Sequence, residues 1–223
     1  MASYVTATTL TTKTDKWLAR VAPYNRNELQ LDAQTSALLV VDMQNQFISR
    51  GAPLYLPAGA TIIPQVAKTI AAFRNAGRPV IFTRHVHHPE GIDAGIMGWW
   101  WDDMIIEGSP ESEIHPDLAP STTEKVVCKH RYSAFYNTDL ETVLRIHKIA
   151  DLVVCGVMTN LCCESTTRDA FYRDYRVFFL ADGTATLTEE MHVAALLNLA
   201  YGFAVVSRVK DIISSVIEKK PGQ

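Results

Sequence analysis

Residues 36–42 read SALLVVD, an apolar run of strand length that ends in a carboxylate. A continuous apolar run of this kind is typical of a β-strand buried on both faces, as the strands of parallel sheets are. Downstream, apolar positions at helical spacing predict a helix that Thr61 caps and Gly77 ends. Residues 79–83, PVIFT, then predict a second buried strand. A strand, a helix and a strand in this order indicate a parallel α/β unit.

The same alternation continues through the second half of the chain. Strand–helix–strand crossovers are right-handed, so the strands are expected to lie parallel, with helices on both faces of the sheet. We therefore predict an α/β, Rossmann-like fold, a three-layer, doubly wound sandwich around a six-stranded parallel sheet. Residues 1–33, which are polar and Thr-rich, are interpreted as an N-terminal arm, and residues 34–223 as one domain. The further strands are predicted at 125–129, 152–156, 177–180 and 203–206. The further helices are predicted after a capping box formed by Thr138 and Glu141, at 161–175, at 189–201 and in a closing segment to Ile217.

Composition excludes several classes of protein. Of the 223 residues, 48% are hydrophobic and 20% are charged, which is typical of a globular domain. The net charge of -3 argues against a nucleic-acid partner. No apolar run approaches the ~20 residues of a membrane span, and no secretory signal is visible, so we expect no membrane partner. Cys162 and Cys163 are adjacent, and Cys128 and Cys155 lie in strands predicted to be buried. This is not a disulfide framework, and it favours a cytoplasmic location.

Three chemically distinct groups follow three of the predicted strands. Asp42 ends the first strand, Lys129 ends the third, and Cys162 opens the helix after the fourth. Active residues of open parallel sheets lie at the carboxyl ends of strands, so a carboxylate, an amine and a thiol are expected to converge. The first helical turn and a nearby lysine both favour a thiolate, which predicts a lowered pKa for Cys162. Spacing alone leaves non-catalytic roles open for all three: Asp42 as a turn residue, Lys129 as a solvated side chain and Cys162 as core packing. The neighbouring Cys163 is interpreted as a core residue.

Three segments of the chain, ALLVVDMQNQF, KHRYSAFYNTDL and GVMTNLCCESTTRDAF, resemble the signature blocks of the isochorismatase-like cysteine hydrolase superfamily. The resemblance runs from about residue 38 to residue 206, and is closest to ureidoacrylate and ureide amidohydrolases and to nicotinamidase-related proteins. It implies that residues 34–223 form an isochorismatase-like hydrolase domain. It also implies Asp42 as general base, Lys129 as its electrostatic partner and Cys162 as nucleophile. A cis peptide before Met158 is implied as well, with the N–H groups of Met158 and Cys162 as an oxyanion hole.

The resemblance predicts a cysteine-dependent hydrolase that cleaves the C–N bond of a small amide or ureide through a thioester. Isochorismatases themselves generally lack the thiol, so Cys162 argues against their vinyl-ether hydrolysis, which stays the first alternative. The second alternative is a member of the fold that binds a small ligand without catalysis. A thiol redox protein is disfavoured because adjacent cysteines are not the C-x-x-C arrangement. The resemblance further implies a homo-oligomer, a dimer or a tetramer.

A histidine cluster and several aromatic residues complete the candidate site. His85 and His87 lie where nicotinamidases carry an Asp-x-His pair of metal ligands, but His85 replaces the aspartate and Met104 occupies a later ligand position. Since a catalytic metal needs at least three good ligands, we predict no metal and no other cofactor. A small-molecule substrate is expected to contact three aromatic side chains, Tyr132, Phe135 and Trp99. Three further histidines are interpreted as surface or helix-face residues, His130, His147 and His192.

Overall fold

The six predicted strands form one parallel sheet. A computed structural model describes residues 3–217 of the chain. Neighbouring strands in the sheet follow the order β3-β2-β1-β4-β5-β6, and every pair is parallel. This order confirms the doubly wound α/β fold, because the chain starts in the middle of the sheet and winds outward twice. The strands are β1 (Ser36–Val41), β2 (Val80–His85), β3 (Lys125–Lys129), β4 (Asp151–Val157), β5 (Arg176–Ala185) and β6 (Val205–Ser207).

Helices pack on both sides of the sheet. Long crossover connections between parallel strands require them, and they cover the apolar faces of the central strands. Among the described residues, no helix is both long and apolar enough to cross a lipid bilayer. The helices are α1 (Leu10–Val21), α2 (Asn45–Ile48), α3 (Pro57–Asn75), α4 (Ile96–Trp100), α5 (Leu140–Ile146), α6 (Glu164–Phe171), α7 (Glu189–Gly202) and α8 (Val209–Ile217).

The two central strands approach each other closely at their carboxyl ends. All six residues of β1 are buried, as the sequence predicts. Next to it in β4, Gly156 has a φ of +118°, and a Cβ there would lie 2.0 Å from the carbonyl oxygen of Val41. Only glycine fits at position 156. Its partner in the neighbouring strand is Val41, the residue before Asp42. The crevice between β1 and β4 is the topological switch point, where ligands of such sheets bind.

The segment predicted as an N-terminal arm contains a packed helix. Residues 10–21 form the helix α1, which packs against α7 and β5. Its buried face carries Leu10, Thr14, Trp17 and Val21. These residues recur at helical spacing, so the amphipathic signal is present but is diluted by the threonines around it.

Several local predictions were wrong by a few residues or in burial. Helix α3 begins at Pro57 rather than at Thr61, because proline suits the first turn of a helix. Thr138 accepts a hydrogen bond from the Leu140 N–H, but the predicted capping box does not form. Cys128 is exposed because β3 is an edge strand, whereas a buried strand was expected. The predicted end of α3 is confirmed, since Gly77 follows it in the left-handed conformation with φ +66°.

Candidate active site

The strand register brings the predicted groups to one edge of the sheet. Asp42 follows β1 directly, and His85 and Lys129 are the last residues of β2 and β3. His85 and Lys129 are register partners, so their side chains leave the sheet side by side. Cys162 comes from the turn after β4, on the other side of β1. The four residues therefore surround the switch point of the sheet.

Lys129 lies at the centre of this group. Its Nζ is 2.7 Å from Asp42 Oδ2, 3.2 Å from Cys162 Sγ and 3.2 Å from His85 Nδ1. Asp42 and Lys129 have no exposed side-chain surface. Thr83 holds the aspartate by donating a hydrogen bond to its Oδ1 at 2.5 Å and accepting one from its backbone N–H at 3.1 Å. The structure thus brings together the three predicted catalytic residues as a buried, compensated cluster.

Cys162 belongs to a π-helical turn, Thr159–Cys163, that leads into α6. The peptide bond that enters this turn, between Val157 and Met158, is cis. Among residues 3–217, no acceptor is found for the N–H of Met158. An unpaired N–H beside the thiol is what an oxyanion hole requires. That role for Met158 and Cys162 stays a prediction.

The pKa of the Cys162 thiol differs from the sequence prediction. Burial raises the pKa of the Cys162 thiol to about 12, although the Lys129 ammonium lowers it. Position in the first turn of a helix therefore does not produce a resting thiolate, because loss of solvation outweighs it. Burial thus favours the protonated form of the thiol over the thiolate. The thiol needs a base to accept its proton when it attacks, and Asp42 lies within 4.8 Å of the sulfur.

His85 is a member of the site that sequence reasoning considered only as a metal ligand. Its Nδ1 lies 4.0 Å from Cys162 Sγ. Burial and the neighbouring Lys129 hold the pKa of His85 well below its usual value, so the ring is neutral. The carboxamide of Gln44 fixes its backbone by accepting from the His85 N–H at 2.8 Å and donating to the His85 carbonyl at 3.0 Å. The sequence could have indicated this role, because His85 ends the strand that lies between those of Asp42 and Lys129 in the sheet.

A hydrogen-bonded chain leads outward from His85. Its Nε2 lies 3.0 Å from His87 Nε2, and His87 Nδ1 lies 3.2 Å from a carboxylate oxygen of Asp93. The other Asp93 oxygen is 3.2 Å from His130 Nδ1. His130 is therefore not the unpartnered surface residue that was expected. Donation from Lys129 to His85 Nδ1 would place the proton of the neutral His85 ring on Nε2, facing His87.

Within residues 3–217, two groups of side chains have the donor atoms of a metal site. Asp42, His85 and Cys162 form one group, but the Lys129 ammonium lies among them, and its charge opposes a second cation. In the other group, His87 and His130 both contact the Asp93 carboxylate, and His130 Nδ1 also lies 2.7 Å from the carbonyl oxygen of Val86. Both Nδ1 atoms thus lie within hydrogen-bonding distance of oxygen acceptors. The sequence prediction of no metal stays a prediction.

A cavity of about 370 Å³ opens onto the thiol. Tyr132 lines it as predicted, and its hydroxyl accepts a hydrogen bond from Trp101 Nε1 at 2.8 Å. Trp99 does not line the cavity and is 75% exposed, because α4 turns it to the surface while Trp101 points inward. Phe135 is also outside the cavity, buried in a stack with Tyr175. The predictions for Trp99 and Phe135 as substrate contacts are therefore not supported within one chain.

His192 was expected on a surface or a helix face, but it is fully buried and contacts the Thr159–Cys163 turn. Its Nδ1 is 2.9 Å from the hydroxyl of Thr159, the first residue of that turn. The ring of Trp17 packs edge-on against it, with centroids 4.5 Å apart. Burial lowers the pKa of His192 to about 4, so it is neutral at pH 7. Helix α1 is thus connected to the Thr159–Cys163 turn through the imidazole ring of His192.

Comparison with known proteins agrees with this geometry. Residues 36–211 match the isochorismatase domain family, so the chain belongs to that family. It is 42% identical over 184 residues to nicotinamidase 3 of Arabidopsis thaliana, which covers 81% of this chain and 88% of the relative. It is 34% identical over 219 residues to the ureidoacrylate amidohydrolase RutB of Methylobacterium radiotolerans, which covers 88% of this chain and 85% of the relative.

Solved structures show the same relationship. A cysteine hydrolase from Pseudomonas syringae pv. phaseolicola superimposes with a TM-score of 0.81 at 32% identity, over 85% of this chain and 95% of that one. An N-carbamoylsarcosine amidase from Thermoplasma acidophilum gives a TM-score of 0.68 at 33% identity, over 78% of this chain and 96% of that one. The predicted family and fold are confirmed. The named relatives are amidohydrolases, in agreement with the prediction of a hydrolase that acts on non-peptide C–N bonds.

Proposed function

We propose that this protein is a cysteine-dependent amidohydrolase that cleaves the C–N bond of a small amide or ureide through a thioester on Cys162. The observation that carries the proposal is the buried cluster of Asp42, Lys129 and Cys162, of which the Cys162 side chain lines a cavity. A protonated thiol beside a carboxylate is the arrangement of a nucleophile and its general base. The amidohydrolase names of the relatives support the same reaction class.

The acylation step uses the thiol and the carboxylate. Asp42 accepts the thiol proton while Cys162 Sγ forms a bond to the carbonyl carbon, and the carbonyl oxygen becomes an oxyanion. The N–H groups of Met158 and Cys162 stabilise that charge, a contribution typically of ~10²–10³ in rate. The protonated Asp42 then donates its proton to the leaving nitrogen, the C–N bond breaks, and ammonia or an amine departs. General acid–base transfer of this kind contributes ~10²–10⁴.

Water completes the cycle. Asp42 accepts a proton from a water molecule, whose oxygen attacks the thioester carbonyl. The C–S bond breaks, the acid product forms, and the sulfur regains its proton from Asp42. Lys129 keeps its proton throughout and balances the carboxylate. Burial lowers the pKa of Lys129, but Asp42 and Cys162 raise it more, so that the net shift is upward and the charge is retained.

The test is ammonia release from a panel of small amides and ureides, with wild type beside Cys162→Ala. The panel contains nicotinamide, biuret, ureidoacrylate, maleamate and carbamoylsarcosine. We expect at least one substrate whose turnover disappears in the variant, and an acyl adduct on Cys162 in intact-mass spectra of rapidly quenched reactions. Cys163→Ala is the matched control, because this neighbouring thiol is buried in the core and away from the cavity.

Other results would favour the alternatives. Turnover that survives Cys162→Ala would contradict the thioester and point to chemistry of Asp42 alone, as in vinyl-ether hydrolysis. Ligand binding without turnover of any panel member would point to a non-catalytic member of the fold. Loss of activity in Cys163→Ala, with normal stability, would show that the wrong thiol has been assigned.

A further inference from the structure

The cavity above Cys162 has an unusual balance of charge. Most of its wall is apolar and is formed by side chains from the α2–α3 connection, the loop after β2 and the Thr159–Cys163 turn. Among the described residues that line it there is no lysine and no arginine. The single carboxylate of the wall belongs to Asp103, which is exposed. A substrate therefore meets a surface that offers no formal positive charge.

The titratable groups near the cavity do not supply one. His85 and His87 line it, but burial lowers the pKa of both rings, and both are already hydrogen-bonded. Lys129 is fully buried, and its ammonium is neutralised by Asp42 at 2.7 Å. Arg131 turns away, since its guanidinium donates to the backbone carbonyls of Asp93 and His130. A carboxylate on the substrate would lose its hydration without gaining a partner.

In place of a charge, the residues that line the wall carry two neutral hydroxyl donors, those of Tyr55 and Tyr132. The Tyr132 hydroxyl already accepts the Trp101 N–H, so its own proton is free to donate to an acceptor on the substrate. The rings of Phe47, Tyr55 and Trp101 also line the cavity and suit a flat, apolar group. Apolar walls with a few placed, uncharged polar groups are typical of sites for uncharged small molecules.

From this arrangement we infer that the substrate is an uncharged amide with an aromatic or aliphatic acyl group, and that the cavity rejects acyl groups bearing a carboxylate. The inference rests on the proposed function and narrows its substrate class. It separates this chain from the activity in the name of the RutB relatives, because ureidoacrylate carries a carboxylate.

The experiment compares two amides that differ in one substituent, 3-methylbenzamide and 3-carbamoylbenzoate. Turnover is measured as kcat/KM for ammonia release by the wild-type protein. Binding is measured by calorimetry on Cys162→Ala, which reports on the cavity without chemistry. We expect the methyl compound to be preferred on the order of 100-fold, because the carboxylate is desolvated without a partner. A preference above tenfold in binding supports the inference; a smaller ratio, a preference for the carboxylate, or no binding of either compound overturns it.

A pair of variants isolates charge from shape. Met104 lines the cavity, and Met104→Lys adds an ammonium there, whereas Met104→Gln adds polarity without charge. We expect the lysine variant to reduce the methyl-to-carboxylate ratio at least about tenfold and the glutamine variant to leave it near the wild-type value. Equal effects of both variants overturn the electrostatic explanation. Turnover that persists in Cys162→Ala contradicts the proposed function instead, and is read independently of the binding ratio.

Discussion

The buried ion pair between Asp42 and Lys129 makes a quantitative prediction about stability. Asp42→Asn keeps the shape of the side chain and the oxygen that accepts the Thr83 hydroxyl proton. It removes the negative charge 2.7 Å from Lys129, which has no exposed surface. Removing one partner of a buried pair costs about 3–5 kcal/mol, since the other charge is left without compensation. We expect the free energy of unfolding to fall by that amount at pH 7, and activity to fall by ~10²–10⁴ through loss of the base.

The pH dependence distinguishes this explanation from simple loss of packing. In the wild type the pKa of Lys129 is raised, so its contribution is fully present below about 10.4, the value of the unfolded chain, and does not change between pH 7 and 9. In the variant, burial is left to dominate and lowers the pKa of Lys129 in the folded state. The unfolded chain then binds more protons, and the stability of the variant rises with pH by up to about 1.4 kcal/mol per unit. The difference in the free energy of unfolding between wild type and Asp42→Asn therefore narrows from pH 7 to pH 9.

Urea denaturation of both proteins at pH 7, 8 and 9 measures the gap. The double variant Asp42→Asn/Lys129→Met is the control, because it removes the uncompensated charge and keeps an apolar side chain of similar length. We expect it to recover much of the lost stability and to show a gap that does not change with pH. A destabilisation below about 1 kcal/mol in Asp42→Asn, or a gap of constant size from pH 7 to 9, would refute the reasoning.

Three further substitutions test other parts of the structure. Cys163→Ala should keep kcat and cost about 1 kcal/mol of stability, and an activity loss beyond tenfold in the ammonia assay would contradict its assignment to the core. Gln44→Ala removes the clamp on both backbone groups of His85 and should cost about 2–3 kcal/mol in urea denaturation, whereas a cost below 0.5 kcal/mol would show that the clamp is dispensable. Trp17→Ala should lower the free energy of unfolding by about 3–5 kcal/mol. A loss under 1 kcal/mol would show that α1 contributes little to the stability of the fold.

The cluster of Asp42, Lys129 and Cys162 could be predicted because its signals are local in sequence. Asp42 and Lys129 each end an apolar run, and Cys162 lies in the turn after another, so the rule for strand ends placed all three together. Buriedness was harder to predict, because it depends on strand order. Cys128 reads as a core residue until β3 is known to be an edge strand. The pKa of Cys162 was predicted in the wrong direction for the same reason, since its burial comes from several elements at once.

Loop residues and distant contacts were the other source of error. Trp99 and Trp101 are indistinguishable in the sequence, and only the path of α4 decides which of them faces the cavity. His192 lies far along the chain from both Trp17 and Thr159, and no pattern connects the three. Sequence periodicity determines which residues share a face, but it carries no information about which faces meet.

The protonated state of Cys162 has a consequence for the durability of the protein. Peroxide oxidises thiolates, and susceptibility follows thiolate content and exposure. With 5% of its surface exposed and a pKa raised by burial to about 12, Cys162 presents almost no thiolate to dissolved oxidants. The exposed Cys128 is the thiol that such oxidants reach first. The structure therefore predicts that Cys162 reacts slowly with dissolved oxidants while the cavity is empty. Under the proposed function, the thiol becomes reactive only when a substrate carbonyl lies beside it and Asp42 accepts its proton.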